Sequence, residues 1–293
     1  MNKFHYPERL IAGMNSRKLI PFAGAGVSKK AIPDHFPTWR EFAAEMNTLA
    51  QSKGVISPAE HNEIRQLIRT NRLTFVMDLL KSALTQEDYE DLLTSRFEYV
   101  DISGANLNTQ NLLLRIAGNV IITTNYDRLL EDTFARTFRR SPTSVTFEQS
   151  STIQYSIQDH RRPKEPMIFK IHGDIKSKQS IILSERDYRS LMYDQQTYET
   201  VITSMFLNNV FLFVGFSLQD REVLYHLERL RHKFSYITQA HYALMPTLDL
   251  TDLEIKQFRE AYGVEIIAYD PGDNHAAIDR FLTGALRRKT KGI

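Results

Sequence analysis

Six short, mainly apolar segments, each followed at once by polar residues, constrain the fold of this 293-residue chain more than any other feature. Runs of this kind are typical of strands that are buried on both faces of a parallel sheet. Helical segments separate them, and this alternation predicts an α/β fold with a doubly wound parallel sheet. The predicted strands are residues 19–23, 120–123, 167–171, 210–214, 241–245 and 264–268.

The longest interval between two predicted strands, residues 38–117, contains no convincing strand pattern and is predicted to be a helical insertion. Residues 143–164 are polar, and we expect a long loop or an irregular hairpin there. We predict a single domain over residues 1–293 that carries this insertion. Capping boxes, in which a hydroxyl and an acid three residues later satisfy free N–H groups, mark several helix starts. They are Thr38 with Glu41, Ser57 with Glu60, Thr85 with Asp88, and Thr251 with Glu254.

Composition excludes several functional classes. The absence of cysteine excludes disulfide scaffolds, thiolate zinc sites, iron–sulfur clusters and a cysteine nucleophile. The 37 basic and 35 acidic residues leave a net charge of +2, which argues against a dedicated nucleic-acid binder. The longest apolar run, residues 210–216, is far shorter than the roughly 20 residues of a membrane helix. With no apolar leader at the N-terminus, we expect a cytoplasmic protein.

The first motif with chemical potential follows the first predicted strand, where Gly24 and Gly26 flank a single residue. Such a pair allows a tight turn, and a helix behind it presents its positive dipole end to a phosphate. Lys29 occupies the position of the third glycine of a dinucleotide fingerprint, so a simple strand–turn–helix explains the pattern equally well. No Gly-Lys-Ser/Thr sequence follows the glycines, and ATP hydrolysis is therefore not expected.

Two further predicted strands end in polar residues. Asn125 follows the second strand and offers both donor and acceptor atoms, which suits ribose hydroxyls or an amide. Asp127, two residues later, is also well placed to cap the next helix. His172 follows a strand and precedes a glycine, so it could titrate near neutrality, although a lone histidine is more often structural.

A fourth motif follows the strand at residues 210–214, where Gly215 permits close approach of a ligand. Ser217 and Asp220 have the spacing of another capping box, which alone could explain both residues. Most of these motifs follow a strand, so we expect them at one edge of the sheet. No histidine pair or carboxylate cluster has the spacing of metal ligands, and we predict no metal; a serine-hydrolase Gly-x-Ser-x-Gly is also absent.

In this order, the motifs resemble the sirtuin (Sir2-like) family. The resemblance rests on residues 24–28, 32–34, 124–127 and 171–173, while residues 182–188 and 214–217 are similar to its bacterial SIR2-like branch. It covers most of the chain, from about residue 19 to 220. The resemblance implies a Rossmann-like NAD-binding domain with a smaller inserted domain, in agreement with the strand pattern.

Two departures from the family bear on function. Sirtuin deacylases hold their small domain with four zinc-binding cysteines, which this chain lacks, and His35-Phe36 replaces their phenylalanine–arginine pair. The resemblance to the cysteine-free branch instead implies an NAD+ glycohydrolase of bacterial anti-phage defence that acts by NAD+ depletion. It also implies a homo-oligomer, in some members assembled with a HerA-type ring ATPase.

By the same resemblance, Asn125 would hold the ribose hydroxyls and the attacking water, Asp127 the carboxamide, and His172 would act as base. The loop at residues 24–28 would bind the pyrophosphate. A catalytically silent NAD or ADP-ribose sensor is the alternative, and sirtuin-type deacylation is a distant third. The presence of both Asn125 and His172 favours the enzyme, because a binding module needs no base. The candidate substrate-binding residues are Gly24, Ala25, Gly26, Ser28, Asp34, Thr124, Asp127, Gly215, Phe216 and Ser217.

Overall fold

Seven parallel strands form one sheet at the centre of the molecule. They are β1 (Leu19–Ala23), β2 (Val120–Thr123), β3 (Ser144–Thr146), β4 (Met167–Lys170), β5 (Val210–Val214), β6 (His241–Pro246) and β7 (Val264–Tyr269). Their order across the sheet is β3-β4-β2-β1-β5-β6-β7. The computed structural model describes residues 4–98, 100–158, 165–234 and 240–289. A Rossmann-like, doubly wound α/β fold is thereby confirmed.

The six predicted strands are all present, and their ends differ from the prediction by at most one residue. The expectation of a loop or irregular hairpin over residues 143–164 is wrong where the structure describes it. β3 pairs in parallel with β4, whereas a hairpin would be antiparallel, and a helix at Ser150–Gln158 follows. β3 has only three residues at the sheet edge, with one of them buried, so it leaves too little alternation to detect. Residues 159–164 lie outside the described residues.

Helices cover both faces of the sheet. One apolar layer joins the helices at Glu8–Asn15, Asn108–Ile116, Leu129–Phe138 and Gly272–Arg288 to the strands, and the other joins the four helices between Ser150 and Lys233. Among the described helices, none combines the length and hydropathy needed to cross a bilayer. The helices are α1 (Glu8–Asn15), α2 (Ala25–Ala31), α3 (Trp39–Ser52), α4 (Pro58–Arg69), α5 (Leu73–Ala83), α6 (Gln86–Phe97), α7 (Asn108–Ile116), α8 (Leu129–Phe138), α9 (Ser150–Gln158), α10 (Glu185–Tyr193), α11 (Gln196–Asn208), α12 (Arg221–Lys233), α13 (Asp252–Tyr262) and α14 (Gly272–Arg288).

The helices α3 to α6 form a third apolar cluster beside the carboxyl end of the sheet. Phe42, Met46 and Leu80 are fully buried in it, and Tyr126, from the loop after β2, packs against it. The capping boxes predicted at the starts of α3, α4 and α13 are formed in both directions, and Thr85 caps α6 by accepting the Asp88 N–H. α7 packs instead on α8 and α14, in the layer that covers the sheet.

Candidate functional site

The motif-bearing loops meet at the point where the strand order reverses. β1 lies between β2 and β5, so the chain winds outward from β1 to one edge of the sheet and later from β5 to the other. In open α/β sheets, ligands bind outside the carboxyl ends of the strands at such a switch point. The loops after β1, β2, β4 and β5 all leave the sheet at this edge, because their strands are parallel. These four loops therefore lie at one edge of the sheet, as expected from their positions after strands.

The glycines of the β1 and β5 loops hold the two backbones together. Gly24 N–H donates to Val214 O at 3.0 Å, and Gly26 N–H donates to Gly215 O at 2.9 Å. Gly215 has a φ of +60°, and a Cβ there would lie 2.5 Å from the Val27 backbone nitrogen. The close contact between the two backbones thus explains why glycine occupies positions 24, 26 and 215. Because the two N–H groups are already bonded, a phosphate at this loop would depend on the remaining amides and on the dipole of α2.

A chain of short hydrogen bonds links the loops after β1 and β2; we name its members Gly24, Ser28, Asn125 and Asp127 the asparagine network. Asn125 Nδ2 donates to Gly24 O at 3.0 Å and to Ser28 Oγ at 2.9 Å. Ser28 Oγ donates to Asp127 Oδ2 at 2.6 Å, and Asp127 Oδ1 accepts the Leu129 N–H at 3.0 Å. Both amide hydrogens of Asn125 are thus committed, which leaves Oδ1 as the atom that can face a substrate.

A buried lysine also holds the loop after β2 in place. Lys170, at the end of β4, is fully buried and donates through Nζ to Tyr126 O at 3.0 Å and to Asp127 O at 2.7 Å. Its ammonium also lies 3.1 Å from Asp174 Oδ2. Burial raises the pKa of Asp127, with Ser28 and Lys170 opposing that rise. Sequence reasoning missed Lys170, although a lysine inside an otherwise apolar strand was the available signal.

His172 lies between two carboxylates at the start of α12; we name His172, Asp220 and Glu222 the histidine cluster. His172 Nε2 is 3.8 Å from Asp220 Oδ2 and 3.8 Å from Glu222 Oε2, and all three residues are buried. Despite burial, the two carboxylates raise the pKa of His172. Glu222 was not singled out from sequence; the Asp-x-Glu spacing at a helix start was its only signal.

The predicted capping box of Ser217 with Asp220 is wrong. Asp220 is itself the cap of α12, because its Oδ1 accepts the N–H groups of Glu222 at 3.1 Å and Val223 at 3.2 Å. Leu218, with a φ of +53°, turns the chain before the helix can begin. Ser217 is exposed in this turn. The start of α12 is therefore capped by Asp220 and not by Ser217.

The remaining candidate residues lie around these two groups without a described hydrogen bond to them. Asp34 is exposed in the turn after α2, and Ala25 is the first residue of α2. Phe216 packs on Phe22, with ring centroids 4.8 Å apart. Thr124 N–H donates to Ala23 O at 3.4 Å. The structure therefore joins Gly24, Ser28, Asn125 and Asp127 directly, whereas Thr124, Gly215, Phe216 and Ser217 follow the ends of β2 and β5.

The reversed strand order and the close approach of the glycine loops together define a Rossmann-like fold. A family model of the SIR2-like domain matches residues 119–267, just over half of the chain, and the chain belongs to that family. The matched part contains Asn125, Asp127, His172 and the β5 loop. The glycine loop after β1 lies before it.

Curated relatives are proteins named "NAD(+) hydrolase ThsA". The protein from Acinetobacter baumannii (strain 532279) is 20% identical over 246 residues, which is 84% of this chain and 46% of that protein. The protein from Bacillus cereus (strain MSX-D12) is 27% identical over 134 residues, or 46% of this chain and 27% of that protein. One from Cytobacillus dafuensis is 28% identical over 140 residues. The chain spans less than half the length of these relatives.

Proposed function

We propose that this protein is an NAD+ glycohydrolase that cleaves NAD+ to nicotinamide and ADP-ribose. One observation supports the proposal: Asn125 and the imidazole of His172 follow two paired strands at the carboxyl edge of the sheet. Asn125 and His172 each stand two residues beyond Thr123 and Lys170, which are paired neighbours in β2 and β4. Both side chains are buried, at 8% and 3% exposure, so each is held in a defined place. The names of the curated relatives favour the same activity.

The chemistry requires little acid catalysis. The nicotinamide leaves as a neutral molecule from a cationic precursor, through an oxocarbenium-like state similar to that of glycoside hydrolysis. The protein must position the ribose, admit a water and accept its proton. In our assignment, Asn125 Oδ1 accepts from a ribose hydroxyl or the water, and His172 accepts the proton. Asp127 contacts the carboxamide, since a carboxylate can accept further hydrogen bonds beyond those from Ser28 and Leu129.

The remaining substrate contacts follow the family resemblance. We assign residues 24–28, including Gly24, Ala25 and Gly26, to the pyrophosphate. Gly215, Phe216 and Ser217 line the adenosine half, and Asp34 and Thr124 complete the set. We further propose a homo-oligomer that depletes NAD+ in anti-phage defence, with a HerA-type ring ATPase as a candidate partner. No metal takes part in the proposed reaction.

Incubation of the purified chain with NAD+ tests the proposal directly. We expect equimolar release of nicotinamide and ADP-ribose, measured by liquid chromatography, and release that is slower by about 10²-fold or more from the His172→Asn variant. Binding of NAD+ without cleavage would instead identify a silent sensor. We expect no removal of acetyl groups from an acetyl-lysine peptide, and NAD-dependent deacetylation would contradict the assignment. Sedimentation at the assay concentration tests the oligomer, which an exclusively monomeric profile would exclude.

A further inference from the structure

The imidazole of His172 is held by a buried polar arrangement that the proposed chemistry alone does not account for. Its Nε2 has no hydrogen-bond partner within the described residues, and neither does Glu222 Oε2, 3.8 Å away. Buried polar atoms are rarely left unpaired, because each costs roughly 1–3 kcal/mol. His172 Nε2 is equally far from the Asp220 and Glu222 carboxylate oxygens. Both oxygens would stabilise an N–H group or a cation at that position.

Both carboxylates are fixed by contacts that do not involve His172. Asp220 Oδ1 caps α12, and its Oδ2 accepts the Tyr188 hydroxyl at 2.7 Å. Glu222 Oε1 accepts the Tyr198 hydroxyl at 2.7 Å and lies 3.0 Å from His226 Nε2. The two acids are therefore a rigid pair whose geometry the sheet and three helices determine.

We propose that Asp220 and Glu222 are positioning residues for His172. They orient the imidazole so that Nε2–H faces them and Nδ1 is left as the base, and they stabilise the imidazolium that forms during turnover. This role rests on the proposed NAD+ hydrolysis. In that reaction the water oxygen bonds to the ribose C1′, and the C1′–nicotinamide bond breaks with its electron pair on nicotinamide. The water proton passes to His172 Nδ1 and then to solvent.

The charges around the ring support an imidazolium at this position. The groups that face it are the two carboxylates, Tyr188 from α10 with ring centroids 5.3 Å apart, and, behind Glu222, Tyr198 and His226. Burial raises the pKa of both tyrosines well above the usual range, so they remain neutral donors. Burial raises the pKa of Glu222, but the neighbouring imidazoles of His172 and His226 lower it to about 2. Glu222 therefore remains ionised beside the ring.

A divalent metal is the competing occupant. One ligand atom from each of His172, Asp220 and Glu222 lies within 4.8 Å of the others, and imidazole with carboxylates suits several transition metals. A metal on Nε2 would also leave Nδ1 free. The carboxylates, however, already accept four donors from Tyr188, Tyr198 and the start of α12, so about half of their roughly eight lone-pair sites are occupied without an ion. We therefore favour the positioning role.

The decisive measurement is the titration of His172 by NMR in histidine-labelled protein, with its resonance assigned through His172→Asn. We expect Glu222→Gln to lower the pKa of His172 by about 1 unit or more, as loss of a neighbouring opposite charge does. Asp220→Asn, which keeps a cap acceptor, provides a second variant if the first does not fold. Glu131→Gln is the matched control: it removes a buried carboxylate from α8 that lies by Lys170, and it should leave His172 unchanged.

Activity gives a second readout. The acid limb of the pH profile for nicotinamide release should move with the His172 pKa, and kcat should fall at least about 10-fold while KM changes little. A His172 pKa that is the same in all four proteins would overturn the proposal. So would stoichiometric Mn²⁺ or Zn²⁺ in the protein as purified, by elemental analysis, that is lost in His172→Asn. If the wild type releases no nicotinamide, the proposed function fails, whereas the titration still decides whether the two acids hold the ring.

Discussion

The asparagine network and the histidine cluster lie at the same edge of one sheet and are equally buried, yet they differ in how their polar atoms are used. In the asparagine network, both amide hydrogens of Asn125, the Ser28 hydroxyl and both oxygens of Asp127 have partners at 2.6–3.0 Å. In the histidine cluster, His172 Nε2 and Glu222 Oε2 lie 3.8 Å apart and have no hydrogen-bond partner within the described residues.

The difference indicates two kinds of contribution to one site. A saturated network fixes the backbone of two loops and contributes to the stability of the fold, because losing any member leaves others unpaired. A cluster with unpaired polar atoms contributes less to stability, but its histidine remains able to bind and release a proton during a reaction. Substitutions in the first group should therefore change stability and turnover together, and those in the second should change turnover and its pH dependence.

The largest effect is expected for Asn125→Ala. The change removes the acceptor for the substrate, leaves Ser28 Oγ without its donor and leaves Gly24 O with only the Val27 N–H. We expect turnover to fall by about 10²-fold or more and the free energy of unfolding to fall by about 1–3 kcal/mol. Nicotinamide release and urea unfolding measure the two quantities. Asn47→Ala is the control, since Asn47 is a buried asparagine of α3 that donates to His61 O at 3.1 Å. If Asn125→Ala and Asn47→Ala lose the same activity, the loss results from reduced stability and not from removal of a substrate contact.

His172→Asn should lower turnover by a similar factor, about 10²-fold or more, through loss of the base. Its cost in stability should be smaller than that of Asn125→Ala, since His172 Nε2 has no hydrogen bond to lose within the described residues. The matched control is His241→Asn, a buried histidine at the start of β6 whose Nδ1 accepts the Phe211 N–H at 3.3 Å. A folded His172→Asn variant that releases nicotinamide at the wild-type rate would remove His172 from the assignment.

The sequence predicted those elements of the fold that depend on a local pattern of residues. The period and composition of the strands predicted β1, β2, β4, β5, β6 and β7, and the capping boxes predicted the starts of four helices. β3 and the start of α12 could not be predicted in this way. A three-residue edge strand has almost no periodicity, and Leu218 takes a positive φ only because the surrounding turn imposes it.

The site itself was predictable only in part. The motifs identified Asn125, Asp127 and His172 as candidate site residues because each lies shortly after a predicted strand. They could not show that Gly26 N–H is bonded to Gly215 O, or that Glu222 approaches His172. Both facts depend on long-range packing between elements about 50 to 190 residues apart in the chain, and no local pattern encodes such contacts.

Acid should affect two of the buried histidines, His241 and His172, in opposite directions. Burial lowers the pKa of His241 to about 4, so below pH 6.5 the unfolded chain takes up a proton that the folded chain does not. Stability from this group is therefore lost as the pH falls from 6.5 towards 4, by about 2 kcal/mol at pH 5. His172 has a raised pKa, so its contribution is present below pH 6.5 and is lost as the pH rises through its folded value.

Unfolding experiments at several pH values separate these contributions. Between pH 7 and pH 5, the wild type should lose about 2 kcal/mol more than His241→Asn does. His172→Asn should be less stable than the wild type by a larger margin at pH 6 than at pH 8. If both variants show the wild-type pH dependence, neither imidazole titrates differently in the folded and unfolded chains, and the contrast drawn between them is wrong.

The smallest effect is expected for Ser28→Ala, which tests whether the asparagine network acts mainly on structure. The change removes the donor to Asp127 Oδ2 and the acceptor for Asn125 Nδ2, but it leaves Asn125 bonded to Gly24 O. We expect a loss of about 1–2 kcal/mol in stability. Because Asn125 keeps one anchor, turnover should fall less than it does in Asn125→Ala, by less than about 10-fold.

Ser150→Ala is the control, since Ser150 is equally buried and its hydroxyl donates to Phe147 O, outside the site. Similar destabilisation by both serine variants, with reduced turnover only in Ser28→Ala, would show that the network also sets the position of Asn125. A Ser28→Ala variant as inactive as Asn125→Ala would instead show that the Ser28 hydroxyl is as important for turnover as Asn125, and would contradict a mainly structural role for the network.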